Sequence, residues 1–182
     1  EVDNVVAFIT KSVQDELREI YPGVLPEEEI SLSECLSRIK NDVGQKFIVI
    51  IDEWDVLIRD EAQNHTLQEA YIDFLRGMFK GTEPSRYIAL AYLTGILPIK
   101  KYGTHSALNM FDEFSMIAPG PLACYVGFTE QEVKKLCEQY GMDMEEVKNW
   151  YDGYFTASGK RLYNPRSVVM ALRFNQLSNY WT

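Results

Sequence analysis

No G-x-x-x-x-G-K-S/T loop occurs anywhere in the 182 residues, so the chain has no phosphate cradle of the P-loop type. Histidine is nearly as scarce. His65 and His105 stand apart in polar stretches, too few for a His-based metal site or a Ser-His-Asp triad, and both read as solvated surface residues. The three cysteines, Cys35, Cys124 and Cys137, are odd in number and lack C-x-x-C spacing. That points to free thiols rather than a disulfide framework or zinc site, two of them at apolar helical positions. No apolar run approaches the roughly 20 residues of a membrane helix, and no signal peptide opens the sequence, so no membrane association and a cytoplasmic location are expected. Basic charge is also short, with 18 Lys and Arg against 27 Asp and Glu and a net charge of −9. The balance argues against direct nucleic-acid binding, which needs clustered cations for phosphate contacts.

What is present is a core-forming composition, 46% hydrophobic and 13% aromatic, enough to bury one domain with a small appended subdomain. Its centre is Lys46-Phe47-Ile48-Val49-Ile50-Ile51-Asp52-Glu53-Trp54-Asp55. Five consecutive apolar residues, mostly β-branched, predict a strand buried on both faces within a parallel sheet. The run stops on two acids, where open α/β sheets bind ligands beyond their strand tips. The residues allow two readings. One is a Walker B element, in which Asp52 holds Mg²⁺ through water and Glu53 polarises the water that attacks a γ-phosphate. The other is a core strand running into a solvated acidic turn, and Asp55 and Asp60 add acidity without choosing between them.

Periodicity frames this strand. Val5, Val6, Ile9, Val13, Leu17 and Ile20 predict an amphipathic helix capped by Asp3 and ended by Pro22-Gly23. A capping box at Ser31-Leu32-Ser33-Glu34 opens a second helix that should bury Leu32, Cys35, Leu36 and Ile39 and stop near Gly44. Another box at Thr66 to Glu69 opens a third helix, with Leu67, Ala70, Tyr71, Phe74, Leu75, Met78 and Phe79 on one face and Gly81 at its end. Tyr87 to Leu93 then reads as a second buried strand, parallel to the first through a right-handed crossover. It ends at Thr94-Gly95, so Thr94 should lie beside Asp52 and Glu53, as a residue that senses phosphate or as a turn former.

Beyond it, Lys100-Lys101-Tyr102-Gly103-Thr104-His105-Ser106 is a loop whose lysines suit an approach to phosphates. The last third is helical, with a staple and capping box at Phe128 to Val133 and a similar device at Met142 to Val147 presenting Val147, Trp150 and Tyr151. A hairpin of Tyr154-Phe155 with Arg161-Leu162-Tyr163 and a helix begun by Asn164-Pro165 follow.

Seven motifs in this order resemble a bacterial family of AAA-like ATPases commonly fused to a C-terminal nuclease domain. They are FIVIIDEWD (Phe47 to Asp55), FLRGMFKG (Phe74 to Gly81), LTGILPIKKYG (Leu93 to Gly103), SALNMFDEFSM (Ser106 to Met116), GFTEQEV (Gly127 to Val133), WYDGY (Trp150 to Tyr154) and YNPRSV (Tyr163 to Val168). The resemblance implies an α/β fold: a partial P-loop core, a parallel sheet with flanking helices over residues 1–122, then a small helical lid over 123–182. It implies ATP and Mg²⁺ as ligands of the full-length protein, with Asp52 at the metal, Glu53 and Thr94 at the chemistry, and Lys100 and Lys101 as candidate phosphate contacts. It also places the Walker A loop upstream of Glu1, so this segment alone should be inactive. Relatives often carry arginine where Pro98 stands, which leaves the finger role unassigned. That departure, with Trp54 crowding the acids, motivates an alternative: a degenerate ATPase serving as scaffold for a linked effector such as a nuclease. Without the upstream strand, the sheet edge near Ile48 and Ile50 should be bare and invite pairing with a second copy or a partner.

Overall fold

The computed structural model describes residues 5–99, 108–115, 118–156 and 159–180, and the expected Asp3 cap, Lys100, Lys101 and His105 lie outside them. Two compact units divide the chain, Glu1–Glu113 and Phe114–Thr182. The class is mixed α/β, and among the described residues no helix is long and apolar enough to cross a membrane.

In the first unit the order is α1 (Val5–Ile20), α2 (Leu32–Val43), β1 (Phe47–Ile51), α3 (Val56–Asp60), α4 (His65–Phe79), α5 (Pro84–Tyr87) and β2 (Ile88–Leu93). Strand β1 pairs with β2 in parallel, as the strand-helix-strand order requires. Ile51 stands opposite Leu93, so both strands end at the same level. The register slips once, between Phe47 and Ile48, which leaves Ala89 as the extra residue of β2.

One expectation fails here. Strand β1 is not buried on both faces: Ile48 and Ile50 are 64% and 69% exposed, and their partners Leu90 and Tyr92 are open with them. Phe47, Val49, Ile51, Ala91 and Leu93 face the core instead. A period of two gives each strand two faces, and among the described residues the helices cover only one.

Helix α2 buries Leu32, Cys35, Leu36 and Ile39, the four positions its spacing predicts, and ends on Gly44 at φ +77°. Ser31 caps it by accepting from the Glu34 amide, but the Glu34 carboxylate turns to Arg38 at 2.6 Å, so only half of the box forms. The cap of α4 is Asn64, which accepts from the Leu67 amide at 3.1 Å, not Thr66. The helix starts two residues earlier than the Thr66 box requires, so Asn64 takes the cap position and Thr66 lies inside the first turn. Helix α1 departs most. Its only buried residue is Gln14, bonded to the Ile30 carbonyl, while Val13, Ile20 and Phe8 face outward. Arg18 donates to the Pro26 and Glu28 carbonyls at 3.2 Å each, so polar side chains tie the linker to this helix. The short helices α3 and α5 fill the stretches after β1 and before β2.

The second unit holds β3 (Phe128–Thr129), α6 (Glu130–Tyr140), α7 (Met144–Trp150), β4 (Tyr154–Phe155), β5 (Arg161–Tyr163) and α8 (Pro165–Phe174). The expected hairpin is present and gains a third strand, giving the order β3-β5-β4. Val133, Cys137, Val147, Tyr163, Val168 and Leu172 form its core. Trp150, expected to pack, is 56% exposed. Cys35 and Cys137 are buried free thiols, and burial pushes both up from the ordinary thiol value, which keeps them unreactive.

The capping box of α6 is complete: Thr129 accepts from the Glu132 amide, and Glu132 accepts from the Thr129 amide at 2.8 Å. The Thr129 amide first, and the Thr129 hydroxyl second, donate to the Glu132 carboxylate at 2.8 Å each and hold it below the usual carboxylate range. A depressed folded value means that its stabilisation is present above the unfolded value and is lost as pH falls through the folded one. Thr129→Ala is therefore expected to cost about 1 kcal/mol at neutral pH. NMR titration should show the Glu132 midpoint rising only part of the way to the ordinary range in that variant, because the hydroxyl bond is lost while the amide of residue 129 still donates, and a midpoint left unchanged would disprove the account.

Candidate functional site

The parallel register brings Asp52-Glu53, after β1, beside Thr94-Gly95, after β2. Backbone bonds carry the pairing past the last strand residues: the Thr94 amide donates to the Ile51 carbonyl and the Trp54 amide to the Thr94 carbonyl, both at 2.9 Å. The Thr94 hydroxyl then works in two directions. It donates to Asp52 Oδ1 and accepts from the Glu53 amide at 3.1 Å. The structure thus joins three of the sequence candidates into one cluster.

Glu53 has φ +51°, left-handed backbone that a side chain with a Cβ adopts at a cost of about 1–2 kcal/mol. The turn holds it there through its amide bond to Thr94 and through its carbonyl, which accepts from the Val56 amide at 3.0 Å. Its carboxylate is 68% exposed and reaches Arg59 Nη2 at 3.4 Å, an exposed pair that contributes little to stability. Asp52 is likewise exposed.

Trp54 does not crowd the acids. It is 2% exposed and belongs to the core of the first unit with Ile58, Tyr71 and Leu75. Gly95 makes room for it: a Cβ there would stand 2.5 Å from Trp54 Nε1 and 2.9 Å from Asp55 Oδ1.

Asp55 is the residue that sequence reasoning passed over. It is fully buried, and its Oδ2 accepts from the Ile96 and Leu97 amides at 2.9 and 2.7 Å. Arg59 Nε lies 3.4 Å from the same oxygen. Burial first, and the Asp55 carboxylate second, push the Tyr71 phenol up to about 12, so it stays protonated and neutral at physiological pH. The signals available in sequence were the Asp-x-x-x-Arg spacing from Asp55 to Arg59, one turn of helix, and a glycine directly after the strand-end threonine.

Chemically, the cluster offers hard oxygen donors from one carboxylate and one hydroxyl, with a second carboxylate at the next residue. Among the described residues no group of three His, Cys, Asp or Glu could cage a metal. One carboxylate beside one hydroxyl is an oxygen-only donor set of the hard type that divalent cations such as Mg²⁺ accept.

A family model described as "AAA-ATPase_like: Predicted AAA-ATPase" matches residues 2–104. An "Uncharacterized protein in vnfD 5'region" of Azotobacter chroococcum mcd 1 is 28% identical over 141 residues, 76% of this chain and 27% of its own length. The chain spans about a quarter of that relative. No solved structure matches it.

Two glycine substitutions test the packing of the strand tip. Gly95→Ala should destabilise the protein by about 1–3 kcal/mol, because the added methyl overlaps a buried ring. Gly77→Ala, on the exposed side of α4 with nothing within 4 Å, should stabilise it by roughly 0.5–1 kcal/mol. Urea unfolding of both variants checks the pair, and equal effects would contradict the steric assignment.

Proposed function

The chain belongs to the AAA-ATPase-like family, and from that premise we propose that its strand-end cluster serves ATP hydrolysis in the protein of which it forms part. The supporting observation is the Thr94 hydroxyl bound to Asp52 and to the Glu53 amide at the carboxyl ends of two parallel strands. In this reading Asp52 is the Walker B acid and holds Mg²⁺ through water. A Mg²⁺ ion held by Asp52 would supply charge neutralisation to the phosphates.

Glu53 does the work on water. Its exposed carboxylate accepts a hydrogen bond from the attacking water and orients its oxygen toward the γ-phosphorus. The new P–O bond forms as the bond to the bridging oxygen breaks; that electron pair leaves with ADP, and the proton of the attacking water passes to the Glu53 carboxylate. Thr94 keeps Asp52 oriented and sets the backbone of Glu53, a positioning task on which phosphoryl transfer depends more than on covalent chemistry. Lys100 and Lys101, which follow Ile99 in the sequence, are proposed to approach the phosphates. The P-loop core and the lid role of residues 123–182 enter by family resemblance alone.

Glu53→Gln in the intact protein should lower ATP turnover about a hundredfold or more. Nucleotide affinity measured by calorimetry should stay within about threefold, since the phosphates are held elsewhere. Unchanged turnover would remove Glu53 from the mechanism. Failure of the wild-type protein to bind Mg-ATP at all would favour the scaffold reading instead.

A further inference from the structure

Asp55 sits at the N-cap of α3, where an aspartate ordinarily turns its side chain onto the first amides of its own helix. It makes no such bond. Its backbone carbonyl takes the amides of Ile58 and Arg59, both at 3.0 Å, while the carboxylate reaches across to the other strand and accepts from Ile96 and Leu97. Those two residues follow Thr94-Gly95. One residue thus anchors the helix after β1 and the loop after β2.

A fully buried carboxylate is costly and needs strong compensation. Arg59 supplies only part of it: Nε lies 3.4 Å away and forms no hydrogen bond. Oδ1 also lacks a donor among the described residues. The two loop amides are therefore its principal partners. The loop they fix carries the threonine that bonds Asp52 and the Glu53 amide, and Gly95 is the link whose missing side chain lets Trp54 and Asp55 stand this close.

We infer that Asp55 is the positioning residue of this site: by accepting the Ile96 and Leu97 amides it fixes the Thr94 hydroxyl, and through it the relation of Asp52 to Glu53. The assignment deepens the ATPase reading, and its kinetic consequences rest on that reading, whereas its geometric consequence does not. Asp55 touches no reacting atom. It acts through Thr94.

Residue-resolved amide exchange in the intact protein, without nucleotide, tests the geometric part. Asp55→Ala should speed exchange at Ile96 and Leu97 by about tenfold to a hundredfold, the factor carried by a lost hydrogen bond to a charged acceptor. It should also speed exchange at Trp54 and Glu53, whose amides donate to Thr94. Acceleration confined to Ile96 and Leu97 would overturn the inference, because Asp55 would then cap only its own loop. Asp55→Asn, the same shape with an acceptor oxygen but no charge, should keep Trp54 and Glu53 within about threefold of wild type, with Ile96 and Leu97 exchanging faster by less than about tenfold because a neutral acceptor makes weaker bonds. This isosteric variant decides the matter if the alanine protein does not fold. Tenfold faster exchange at Trp54 and Glu53 in the asparagine protein would assign the effect to charge pairing with Arg59 and sink the positioning role.

ATP turnover supplies the second arm. Asp55→Ala should lower kcat with the nucleotide KM within about threefold, and should lower it no further in a Thr94→Ala background, since the two residues act in series. Additive losses would mean that Asp55 does not work through Thr94. A wild-type protein that hydrolyses no ATP would defeat the ATPase reading while the exchange result still decides the role of Asp55. An active wild type with exchange at Trp54 and Glu53 unmoved by Asp55→Ala would defeat only the latter.

Discussion

Every feature of the candidate site depends on the parallel pairing of β1 with β2 in a register that ends both strands at one level. The ladder continues for two bonds beyond Ile51 and Leu93, through the Thr94 and Trp54 amides. Were β2 shifted by one residue, Thr94 would point to the opposite face of the sheet and Asp52 would lose its donor. The single slip lies at the far end, between Phe47 and Ile48, where it leaves the functional end undisturbed. Helix α4 sits in sequence between the strands and has six residues buried, so its packing onto the sheet fixes that register.

The same strand end concentrates two unfavourable terms. Glu53 occupies left-handed backbone without being glycine, and Asp55 places a carboxylate wholly inside the protein. The first costs about 1–2 kcal/mol and the second several kcal/mol if left uncompensated, a large share of an ordinary domain's stability. Glycine at position 53 would remove the first term and an apolar side chain at 55 the second. Both substitutions would delete a carboxylate from the place where the two strands present their polar groups. Strain and buried charge gathered at one strand end, in a unit whose other buried residues are mostly apolar, accord with a site built for binding or chemistry rather than for stability.

Local chemistry was legible in the sequence wherever one residue's own surroundings decide the outcome. The apolar spacing of α2 named its four buried positions, and Thr129 with Glu132 formed the capping box that their spacing requires. Strand type, parallel pairing and the meeting of Thr94 with Asp52 followed from the order of the elements. What was not legible involves choices between neighbours or between distant partners. Asn64 and Thr66 are both capping residues, and chain geometry selected Asn64. Gln14 reads as surface until the Ile30 carbonyl is known to lie against it. Asp55 reads as one more acid in an acidic turn, because its partners are backbone amides forty residues away, and backbone amides leave no mark in a sequence. The open face of Ile48, Ile50, Leu90 and Tyr92 was misread because a run of β-branched residues describes strand propensity, not how many layers cover the strand.

Charge sets a final condition on the proposed chemistry. The net charge of −9 and the two exposed acids at the strand end repel a bare polyphosphate, and the nearest described cation, Arg59, is already shared between Glu53 and Asp55. Attraction of ATP to this end must therefore come from a divalent cation carried with the nucleotide and from cations beyond the cluster, among which Lys100 and Lys101 are the closest in sequence. In the proposed reading the acids would serve not as a binding site for phosphate but as the counter-charge for a metal that phosphate brings. That division of labour explains why a strand end so poor in positive charge can still be read as half of a nucleotide site.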